Sequence, residues 1–480
     1  MGEHDVQGQR PSRVRYLVLA VFCSLAFMHY LDRLCMMRAQ NDVVRDLGLN
    51  QLTAADEAEL QARGLANDDK ARKKMEDARG TKRMSWIFNI FTIGYLLFEI
   101  PGGWLGDRWG SRKVLLRIII WWSVFIALTA WVDLPVRWFI SQPAPWILVA
   151  VVSLARFLYG AGAAGAFPNI ARVLGQWFPF RDRGFAQGFI WMSARMGGAF
   201  APFLFGLLML LTGWRIAFSL LGVGGTIWAI LFYRWFRNRP EEKAGVNAAE
   251  IAYIRAGAPE VDGDGHANVP WRRLLMSPNL WALYICHAAI CFSGYFFLTF
   301  IPKFLEQRFD VALSKSEIMT GLPLLIGGCS CLAGGRISDF LIRRTGSKRW
   351  GRSLVGFAAM SLAGVTILLA TQATSVWAAA AMLCVVAGFQ DLAVPIYWSL
   401  PADLNRKCAG TIGGAMNMAG GVGAVLGPYL VGELEPLYGW NFIFVMFAAV
   451  YALAALCWLR IDASESLEIP PSAGMNAKTE

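Results

Sequence analysis

The sequence predicts an all-α integral membrane protein with twelve transmembrane helices in two six-helix halves. Hydrophobic residues make up 56% of the 480-residue chain and charged residues only 16%, whereas an average soluble domain carries roughly 25% charge. A membrane-spanning helix needs about 20 mostly apolar residues. Windows of this kind begin near residues 17, 84, 113, 146, 184, 214, 279, 317, 352, 376, 410 and 440. Twelve of them with short connections indicate a polytopic membrane protein rather than an anchored enzyme.

Two repeats indicate that the chain is a duplication. The Gly-rich, charged loop from 102 to 113 contains Gly103 and, four residues later, Asp107; the second half repeats this spacing with Gly335 and Asp339. Six further residues recur at one constant offset of 226, pairing Gly184, Gly188, Pro202, Gly213, Trp214 and Phe218 with Gly410, Gly414, Pro428, Gly439, Trp440 and Phe444. Because all six match in register, we expect two related bundles.

Basic residues indicate which side of the membrane each loop faces. The formal net charge is +11, and cytoplasmic loops carry an excess of Lys and Arg. With the N-terminus in the cytoplasm, the inward loops are basic, whereas the outward loops at 372–376 and 432–440 contain no Lys or Arg. Segment 37–83 is the exception, because it faces outward and mixes ten basic residues with Asp and Glu. We predict a multi-pass protein of the inner (plasma) membrane with both termini cytoplasmic.

This topology divides the chain into five segments. They are a cytoplasmic N-terminal tail (1–15), an N-terminal six-helix bundle (16–236), a cytoplasmic linker (237–278), a C-terminal six-helix bundle (279–460) and a cytoplasmic C-terminal tail (461–480). The linker contains a short amphipathic piece around Ala248–Ile254 and an Asp/Gly run at 262–265 that we interpret as flexible. The tail after Ile461 is polar, and we expect it to be disordered. The nine cysteines lack metal-binding spacing, so we predict buried thiols and no metal or cofactor.

The first predicted helix, from 16 to about 37, contains Tyr30, Asp32 and Arg33 near its end. A charged pair inside an apolar helix costs several kcal/mol unless it faces a wet cavity or has partners. Two interpretations are open. Asp32 and Arg33 either serve a polar site, or they mark the end of the helix and extend toward the membrane interface.

Two arginines lie deep in later helices. Arg156 is about ten residues into the fourth helix, or about 15 Å, which places it near the middle of the bilayer. Arg195 lies at a similar depth in the fifth helix. The glycines at 160, 162 and 165 match G-x-G-x-x-G, but no strand precedes them, so we interpret them as contacts for close helix packing rather than a dinucleotide site.

The remaining intramembrane polar residues are mostly acidic or amide side chains. The second helix carries Tyr95 and Glu99, four residues apart and therefore on one face. The tenth helix carries Asp391 and the eleventh carries Asn417. The membrane interior thus contains three arginines, three carboxylates, two tyrosines and one asparagine.

These residues favour a site for an organic anion. The planar guanidinium of arginine binds a carboxylate through two parallel hydrogen bonds, so Arg156, with Arg33 or Arg195, is predicted to receive the anion. The alternative is that the arginines and carboxylates neutralise one another as internal ion pairs. The sequence contains neither a phosphate-binding loop of the G-x-x-x-x-G-K-[ST] type nor a hydrolase or metalloprotease motif. We therefore predict a carrier driven by a gradient, and not an enzyme or a pump.

The motifs together resemble a known family. The loop from 102 to 113 resembles the signature loop of the major facilitator superfamily. Other segments resemble its anion:cation symporter family, which includes bacterial galactonate, glucarate and hexuronate carriers and sialin-like transporters; these segments are Tyr30–Arg33, Arg156–Gly160, Trp177–Pro179, Arg183–Gly184 and Gly410–Asn417. The resemblance runs from about residue 16 to 460 and implies the major facilitator fold.

The resemblance also implies roles for individual residues. Arg33 and Arg156 would bind the substrate carboxylate, Tyr95 and Asn417 would contact its hydroxyl groups, and Asp32 would be a protonation site. Tyr30 and Arg195 are further candidates for contact with the substrate.

A second protonation site is missing from its usual position. The family usually has a glutamate seven residues after the arginine of the fourth helix, where this chain has Ala163. Glu99 or Asp391 is our candidate to replace it, motivated by their depth in the membrane.

We therefore predict an alternating-access carrier with a site between the halves at the membrane midplane. Its partners would be a small organic anion such as a hexonate or hexuronate, protons and the lipid bilayer. We expect it to work as a monomer and to bind no nucleic acid. The alternatives are a carrier of inorganic phosphate, another anion or a peptide, and a membrane sensor that transports nothing.

The repeated loop is predicted to control the conformational change. A carboxylate is stabilised near a helix N-terminus by about 0.3–1 kcal/mol, or more when it is partly buried. Asp107 with Gly103 would latch onto the start of the eleventh helix when the inward side is closed, and Asp339 with Gly335 would do the same, more weakly, at the start of the fifth. Arg108 and Arg112 belong to the same predicted gating loop. The alternative, that the charges of the loop only fix its topology, suits Arg108 and Lys113 better than Asp107.

Overall fold

Long α-helices account for most of the computed structural model, which describes residues 9–256, 269–310 and 313–467 apart from the side chains at 295, 298, 299 and 313–320. In chain order the helices are α1 (Val14–Leu47), α2 (Ala54–Ala62), α3 (Asp69–Trp109), α4 (Ser111–Thr129), α5 (Asp133–Phe139), α6 (Pro145–Ala163), α7 (Ala166–Trp177), α8 (Arg183–Thr212), α9 (Trp214–Trp235), α10 (Ala248–Arg255), α11 (Trp271–Met276), α12 (Pro278–Thr299), α13 (Ile301–Phe309), α14 (Leu313–Thr345), α15 (Lys348–Ala370), α16 (Val376–Leu404) and α17 (Ala409–Arg460).

The helices supply the twelve predicted spans. Within the described residues, nine helices or directly joined helix pairs are long and apolar enough to cross a membrane, and α4 and α5, which meet at 45°, pass the same test as a pair. The 52-residue helix α17 contains a break at Gly439 and therefore provides two spans. The 22-residue helix α12 provides the remaining one, because 22 residues extend about 33 Å. The predicted fold class is confirmed.

Glycine makes the two equivalent turns that the repeat predicted. Gly213 lies between α8 and α9 with φ 78°, and Gly439 breaks α17 with φ 75°. Positive φ is accessible to glycine without the steric cost that a Cβ would bring. Trp214 and Trp440 each begin the helix that follows, so the same local chemistry produces the same turn in both halves.

The first two spans extend beyond their predicted limits. Helix α1 continues to Leu47 instead of ending near 37, and α3 begins at Asp69 instead of near 84. An apolar window identifies only the part of a helix that lies in lipid. Outside it, Lys, Arg, Glu and Ala are good helix formers, so the charged segment continues both helices in water.

Residues 48–68, which we call the α2 cap, join these two extensions. Thr53 and Asp56 form a reciprocal capping box at the start of α2. Arg79 of α3 lies 2.7 Å from Asp56, and Arg83 donates to the carbonyl of Leu49 at 2.7 Å. The mixed charges of this segment therefore pair with one another and fix α2 against the ends of α1 and α3.

The two halves pack mainly through two symmetry-related helix pairs. Within the first half α1 packs on α8 and α3 on α6, and within the second α12 packs on α17 and α14 on α16. Between the halves, α3 packs on α17 and α8 packs on α14. These two contacts are equivalent under the duplication, and the candidate site lies between them.

The linker forms a helix at its amphipathic piece, and this helix binds the start of α1. The carboxylate of Glu250 on α10 accepts the backbone N–H groups of Val14 and Arg15 at 3.0 and 3.1 Å and pairs with the Arg15 side chain at 3.1 Å. Tyr253 donates to Asp182 at 2.6 Å. The Asp/Gly run at 262–265 lies outside the described residues.

The expectation of a disordered C-terminal tail is wrong for its first residues. The N–H of Leu467 donates to the carbonyl of Leu404 at 2.9 Å, and Asn405 donates to the carbonyl of Leu467 at 3.1 Å. Asn279 donates to the carbonyl of Asp462 at 2.8 Å. The described tail is held because its apolar side chains and backbone groups find partners on the bundle; residues 468–480 lie outside the described part.

Candidate functional site

The polar segment of α1 lies inside the helix and not at its end. Because α1 continues to Leu47, the interpretation of Asp32 and Arg33 as the end of the helix is wrong. Asp32 is 1% exposed, and neither of its carboxyl oxygens has a hydrogen-bond partner among the described residues. The Arg33 guanidinium lies 5.7 Å from the Phe91 ring and 5.3 Å from the Tyr95 ring. Both residues therefore face the interior of the bundle.

Arg156 shares these surroundings. Its side chain is 1% exposed, and its guanidinium lies 5.2 Å from the Phe91 ring, which Arg33 also contacts, and 5.0 Å from the Tyr159 ring. Tyr159 lies within electrostatic range of Asp32, Arg33 and Arg156 together. The Nε and Nη1 atoms of Arg156 are buried without a hydrogen-bond partner in the described part of the chain. Such donors are costly to bury, so the arrangement favours an incoming anion.

Tyr95 and Asn417 meet across the two halves. The amide of Asn417 on α17 donates to the hydroxyl of Tyr95 on α3 at 3.2 Å. Glu99, one turn further along α3, is fully buried, and its carboxyl group lies beside Tyr95 and Asn417. A hydroxyl, an amide and a carboxyl group thus line the interface beside the arginines.

Arg195 and Asp391 form a bidentate ion pair. Arg195 on α8 donates through Nε and Nη2 to the two oxygens of Asp391 on α16, at 2.7 and 2.6 Å. In this conformation the alternative of internal neutralisation therefore applies to these two residues. Arg156, in contrast, has no described ion pair, so the three arginines do not share one environment.

Ala163, where the family usually has a glutamate, lies at the end of α6. It is 1% exposed and packs in the apolar core. The position therefore offers no protonatable group, and the described carboxylates near the two arginines of the first half are Asp32 and Glu99.

Sequence reasoning missed a group of stacked aromatic rings that lies next to the polar residues. Phe167 stacks on Trp191 with ring centroids 4.7 Å apart, and Trp398 lies 5.4 Å from Trp191 and 5.9 Å from Phe167. We call these three residues the aromatic layer. His29 lies 5.3 Å from Phe167, and His287 lies 5.9 Å from Trp398. The layer joins residues of α7, α8 and α16.

The sequence contains a feature that could have identified His29 and His287 as candidate site residues. Each is a lone histidine inside an apolar helix, at 4% and 2% exposure. Both ring nitrogens of His29 and Nδ1 of His287 have no hydrogen-bond partner among the described residues. Buried polar atoms without partners are uncommon and often mark functional positions, so His29 and His287 are further candidates for the site.

The halves are also joined through Asp107. Its carboxylate accepts the N–H groups of Gly410 and Thr411 at 3.0 and 2.6 Å, at the start of α17, and also pairs with Arg172 at 3.0 Å. A Cβ at Gly103 would overlap the carbonyl oxygen of Gly410. The lack of a side chain there allows α3 to reach α17. The role of this contact in gating stays a prediction.

The second copy of the loop makes the equivalent contacts. Asp339 accepts the N–H groups of Gly184 and Phe185 at 3.2 and 2.6 Å and pairs with Arg352 at 2.8 Å. A Cβ at Gly335 would overlap the carbonyl oxygen of Gly184. Both carboxylates accept two backbone N–H groups, and Asp107 also accepts the hydroxyl of Thr411 at 2.8 Å. The weaker role of the second copy stays a prediction. We call the end of the bundle that contains both contacts the closed end.

The arginines near the repeated loops make contacts either within one half or across the two halves. Arg112 donates to the carbonyl of Tyr233 in its own half, and Arg108 lies 5.3 Å from the Trp104 ring. Sequence reasoning missed a buried ion pair across the closed end, in which Arg183 and Asp403 lie 2.8 Å apart. Its residues are far apart in the chain and lie in different halves, so no local pattern revealed it.

Several known proteins with sequences similar to this chain are named as transporters. The chain is 29% identical over 461 residues to the "Probable sulfoacetate transporter SauU" of Cupriavidus necator, covering 95% of this chain and 96% of that protein. It is 28% identical to the "Probable galactarate/D-glucarate transporter GarP" of Escherichia coli K12, covering 93% and 94%. It is 26% identical to a D-galactonate transporter of Escherichia coli O6:H1, covering 95% and 97%.

Solved structures share the fold. The proton:xylose symporter XylE matches with a TM-score of 0.69 at 12% identity, covering 94% of this chain and 98% of that one. The human organic anion transporter MFSD10 matches with a TM-score of 0.65 at 16% identity, covering 94% and 100%. The family model described as "Major Facilitator Superfamily" matches residues 79–428. The chain is therefore a membrane transporter and not an enzyme, and it belongs to the Major Facilitator Superfamily.

Proposed function

We propose that this transporter moves a small organic anion, such as the hexonate or hexuronate form of a sugar acid, across the inner membrane together with protons. The anion would bind between the halves, next to the aromatic layer, with its carboxylate on Arg156 and Arg33. Its hydroxyl groups would contact Tyr95 and Asn417.

The buried guanidinium of Arg156 is the observation that carries this proposal. Two of its donor atoms are buried without partners, and aromatic rings surround it. A buried charge without a partner costs several kcal/mol, whereas a bidentate carboxylate satisfies both charge and hydrogen bonding. A substrate with a carboxylate therefore supplies what this position lacks.

The names of the relatives support the same class of substrate. Sulfoacetate, galactarate, glucarate and galactonate, named for three of them, are all small organic anions. The relatives match this chain over nearly their whole length, so the similarity includes every helix that contributes to the site.

Asp32 is our candidate for the group that couples transport to protons. It lies within electrostatic range of Tyr159, as both arginines do, and no described residue makes a hydrogen bond to it. Protonation would remove a negative charge from beside Arg33 and Arg156 and so strengthen their attraction for the anion. Glu99 is a further candidate, because it is buried beside Tyr95.

We also propose how the path opens and closes. The contacts of Asp107 and Asp339 would hold the closed end shut in this conformation, with the substrate entering from the end that carries the α2 cap. Breaking both contacts would let the bundles at 16–236 and 279–460 rotate and expose the site on the other side. The closed end would be cytoplasmic, as the basic loops indicate, and one chain would suffice for transport.

Uptake into proteoliposomes tests the proposal. We expect saturable uptake of radiolabelled gluconate or galacturonate that is faster with an inward proton gradient. Asp32→Asn should abolish the effect of the gradient while retaining exchange of labelled for unlabelled substrate. Gradient-driven uptake that is unchanged in Asp32→Asn would exclude Asp32 as the coupling group, and the absence of saturable flux for any organic anion would exclude the proposed function.

A further inference from the structure

The ion pair between Arg195 and Asp391 occupies a position at which a ligand group could replace one partner. It connects α8 of the first half to α16 of the second, with side-chain exposures of 16% and 5%. Both oxygens of Asp391 are used by the guanidinium. In this conformation the guanidinium group of Arg195 is therefore hydrogen-bonded to a carboxylate of the protein itself.

Three contacts place this pair beside the arginines of the first half. Arg195 lies 5.9 Å from the Trp191 ring, and Tyr30 packs edge-on to the same ring at 6.2 Å. Tyr30 precedes Arg33 by three residues on α1 and so shares its face. Cys291 on α12 lies within electrostatic range of both Arg33 and Arg195. The pair therefore borders the same space as the proposed carboxylate site.

Helix α14 leaves room for the pair. A Cβ at Gly327 would overlap a carboxyl oxygen of Asp391, and a Cβ at Gly328 would approach the Cβ of Arg195 to 3.3 Å. Two consecutive residues without side chains thus form the seat of the two charged groups. The absence of side chains at these two positions of α14 leaves space for Arg195 and Asp391. A larger residue at either position would displace the ion pair.

From this geometry we propose that the site takes a dianion, and that its second acid group binds Arg195 after Asp391 has accepted a proton. The inference rests on the proposed function, in which Arg156 and Arg33 hold the first acid group. A proton from the solution on the entry side neutralises Asp391 and ends its pairing with Arg195. The second acid group of the substrate then takes the place of that carboxylate, so the pairing of Arg195 is restored.

The charge balance of this exchange couples the proton to the substrate. One proton and one acid group enter together, and the net charge around Arg195 is unchanged. Each ligand should therefore strengthen the binding of the other by the same factor. A monoanion has no second acid group, and its binding gains nothing from protonation of Asp391.

The groups around Asp391 leave it with one charged partner among the described residues. The titratable side chains that act on this pair or lie within its electrostatic range are Arg195 on α8, Tyr30 on α1, Cys291 on α12, Cys331 on α14, Tyr397 on α16 and Tyr451 on α17. Only Arg195 carries a charge at neutral pH. Protonation of Asp391 is thus felt mainly by Arg195.

Glucarate and gluconate form a matched pair of probes, because they have the same six-carbon hydroxylated chain with two carboxylates and one. Binding of each to the purified full-length transporter would be measured by calorimetry between about pH 5.5 and about pH 7.5, where free carboxyl groups are ionised. The variants are Asp391→Asn and the double variant Arg195→Gln with Asp391→Asn. The double variant removes both charges, so neither is left buried alone. Glu435→Gln, which breaks the remote ion pair with Lys303, is the control.

We expect the wild type and the control to bind glucarate more tightly than gluconate, with a preference that grows as the pH falls. Asp391→Asn should keep the preference at both ends of the range, since Arg195 no longer needs a proton to be released. The double variant should bind glucarate about tenfold or more weakly than Asp391→Asn does, with gluconate affected about threefold or less.

Three results would overturn the inference. They are a wild type with no preference for glucarate at about pH 5.5, a double variant that binds glucarate as tightly as Asp391→Asn, and equal losses for both acids in the double variant. Arg156→Ala separates this inference from the proposed function. If Arg156→Ala retains both ligands, the proposed function fails; if it loses both while the double variant does not discriminate, only the dianion inference fails.

Discussion

At the scale of single residues, the two deep arginines of α6 and α8 differ in what satisfies them. Arg195 has a carboxylate of the protein within 2.6 Å, whereas two donor atoms of Arg156 have no partner among the described residues. The charge of Arg195 is already compensated by Asp391, whereas an unsatisfied buried guanidinium is stabilised by an anion that can reach it. Asp391 therefore neutralises Arg195 internally, whereas Arg156 is our proposed receptor for the anion.

Replacing Arg156 tests this difference. Loss of charge-assisted hydrogen bonds of about 1.5–3 kcal/mol should weaken binding of an organic anion roughly 10- to 150-fold in Arg156→Ala. Arg156→Lys should recover only part of the affinity, because an ammonium group lacks the planar fork. Binding to purified protein measures both effects, with the exposed Arg234→Ala as the control for loss of a positive charge. Unaltered binding in Arg156→Ala would remove this residue from the site.

At the scale of elements, the contact between α3 and α17 depends on the absence of a side chain. Gly103 and Gly335 occupy equivalent positions in the repeated loops, and each touches the start of a helix in the other half. The two aspartates four residues later then reach backbone N–H groups of those helices. The close approach of the helices at these glycines brings the aspartates within hydrogen-bond distance of the N–H groups.

Gly103→Ala should therefore open the closed end. The added methyl group would overlap the carbonyl of Gly410 and separate α3 from α17, so the hydrogen bonds of Asp107 would be lost. Cross-linking of cysteines introduced at the closed end should fall, and uptake should fall with it. Gly224→Ala on α9 is the matched control, because a Cβ there meets nothing within 4 Å. Full cross-linking and uptake in Gly103→Ala would show that the contact does not control the path.

The α2 cap is a second element whose stability depends on few groups. Burial alone would raise the pKa of Asp56, but hydrogen bonds from Thr53 and the charges of Arg79 and Arg83 hold it below its ordinary value. The carboxylate therefore stabilises the cap at neutral pH, and this contribution is lost only as the pH falls through that lowered pKa. We expect proteolysis within residues 48–68 to increase in Asp56→Asn at neutral pH. In the wild type it should increase only in strong acid. Equal protection in the variant would contradict this account.

At the scale of the whole molecule, orientation is the property that labelling can determine most directly. A cysteine introduced at Gln51 in the α2 cap should react with a membrane-impermeant maleimide in intact cells, and one introduced at Lys348 should react only after lysis. Among the described native cysteines, Cys329 alone is exposed, and its replacement by serine removes that background. Reaction of the second position and not the first in intact cells would reverse the topology.

The twelve spans were predictable because burial in lipid imposes a long apolar window, which the sequence displays directly. The α2 cap was not, because helices in water need no such window. The positions of Asp32, Arg156 and Asp391 followed from their depth in apolar segments. Their partners did not, since the ion pair of Arg195 joins residues 196 apart in the chain. Depth is a local property, whereas pairing depends on how two halves meet.

The attachment of α10 to the start of α1 has a consequence for how the polypeptide can be divided. The described hydrogen bonds and ion pairs of Glu250, Tyr253 and Arg255 are all to residues numbered below 256, so the part of the linker that ends with α10 travels with the first half. A gene split between codons 256 and 269 should yield two fragments that assemble in one membrane into an active carrier. A split before α10 should assemble poorly, because the first fragment would lack the carboxylate that binds its own first helix. The duplicated protein would thus work as two separately made parts, provided that the cut follows α10.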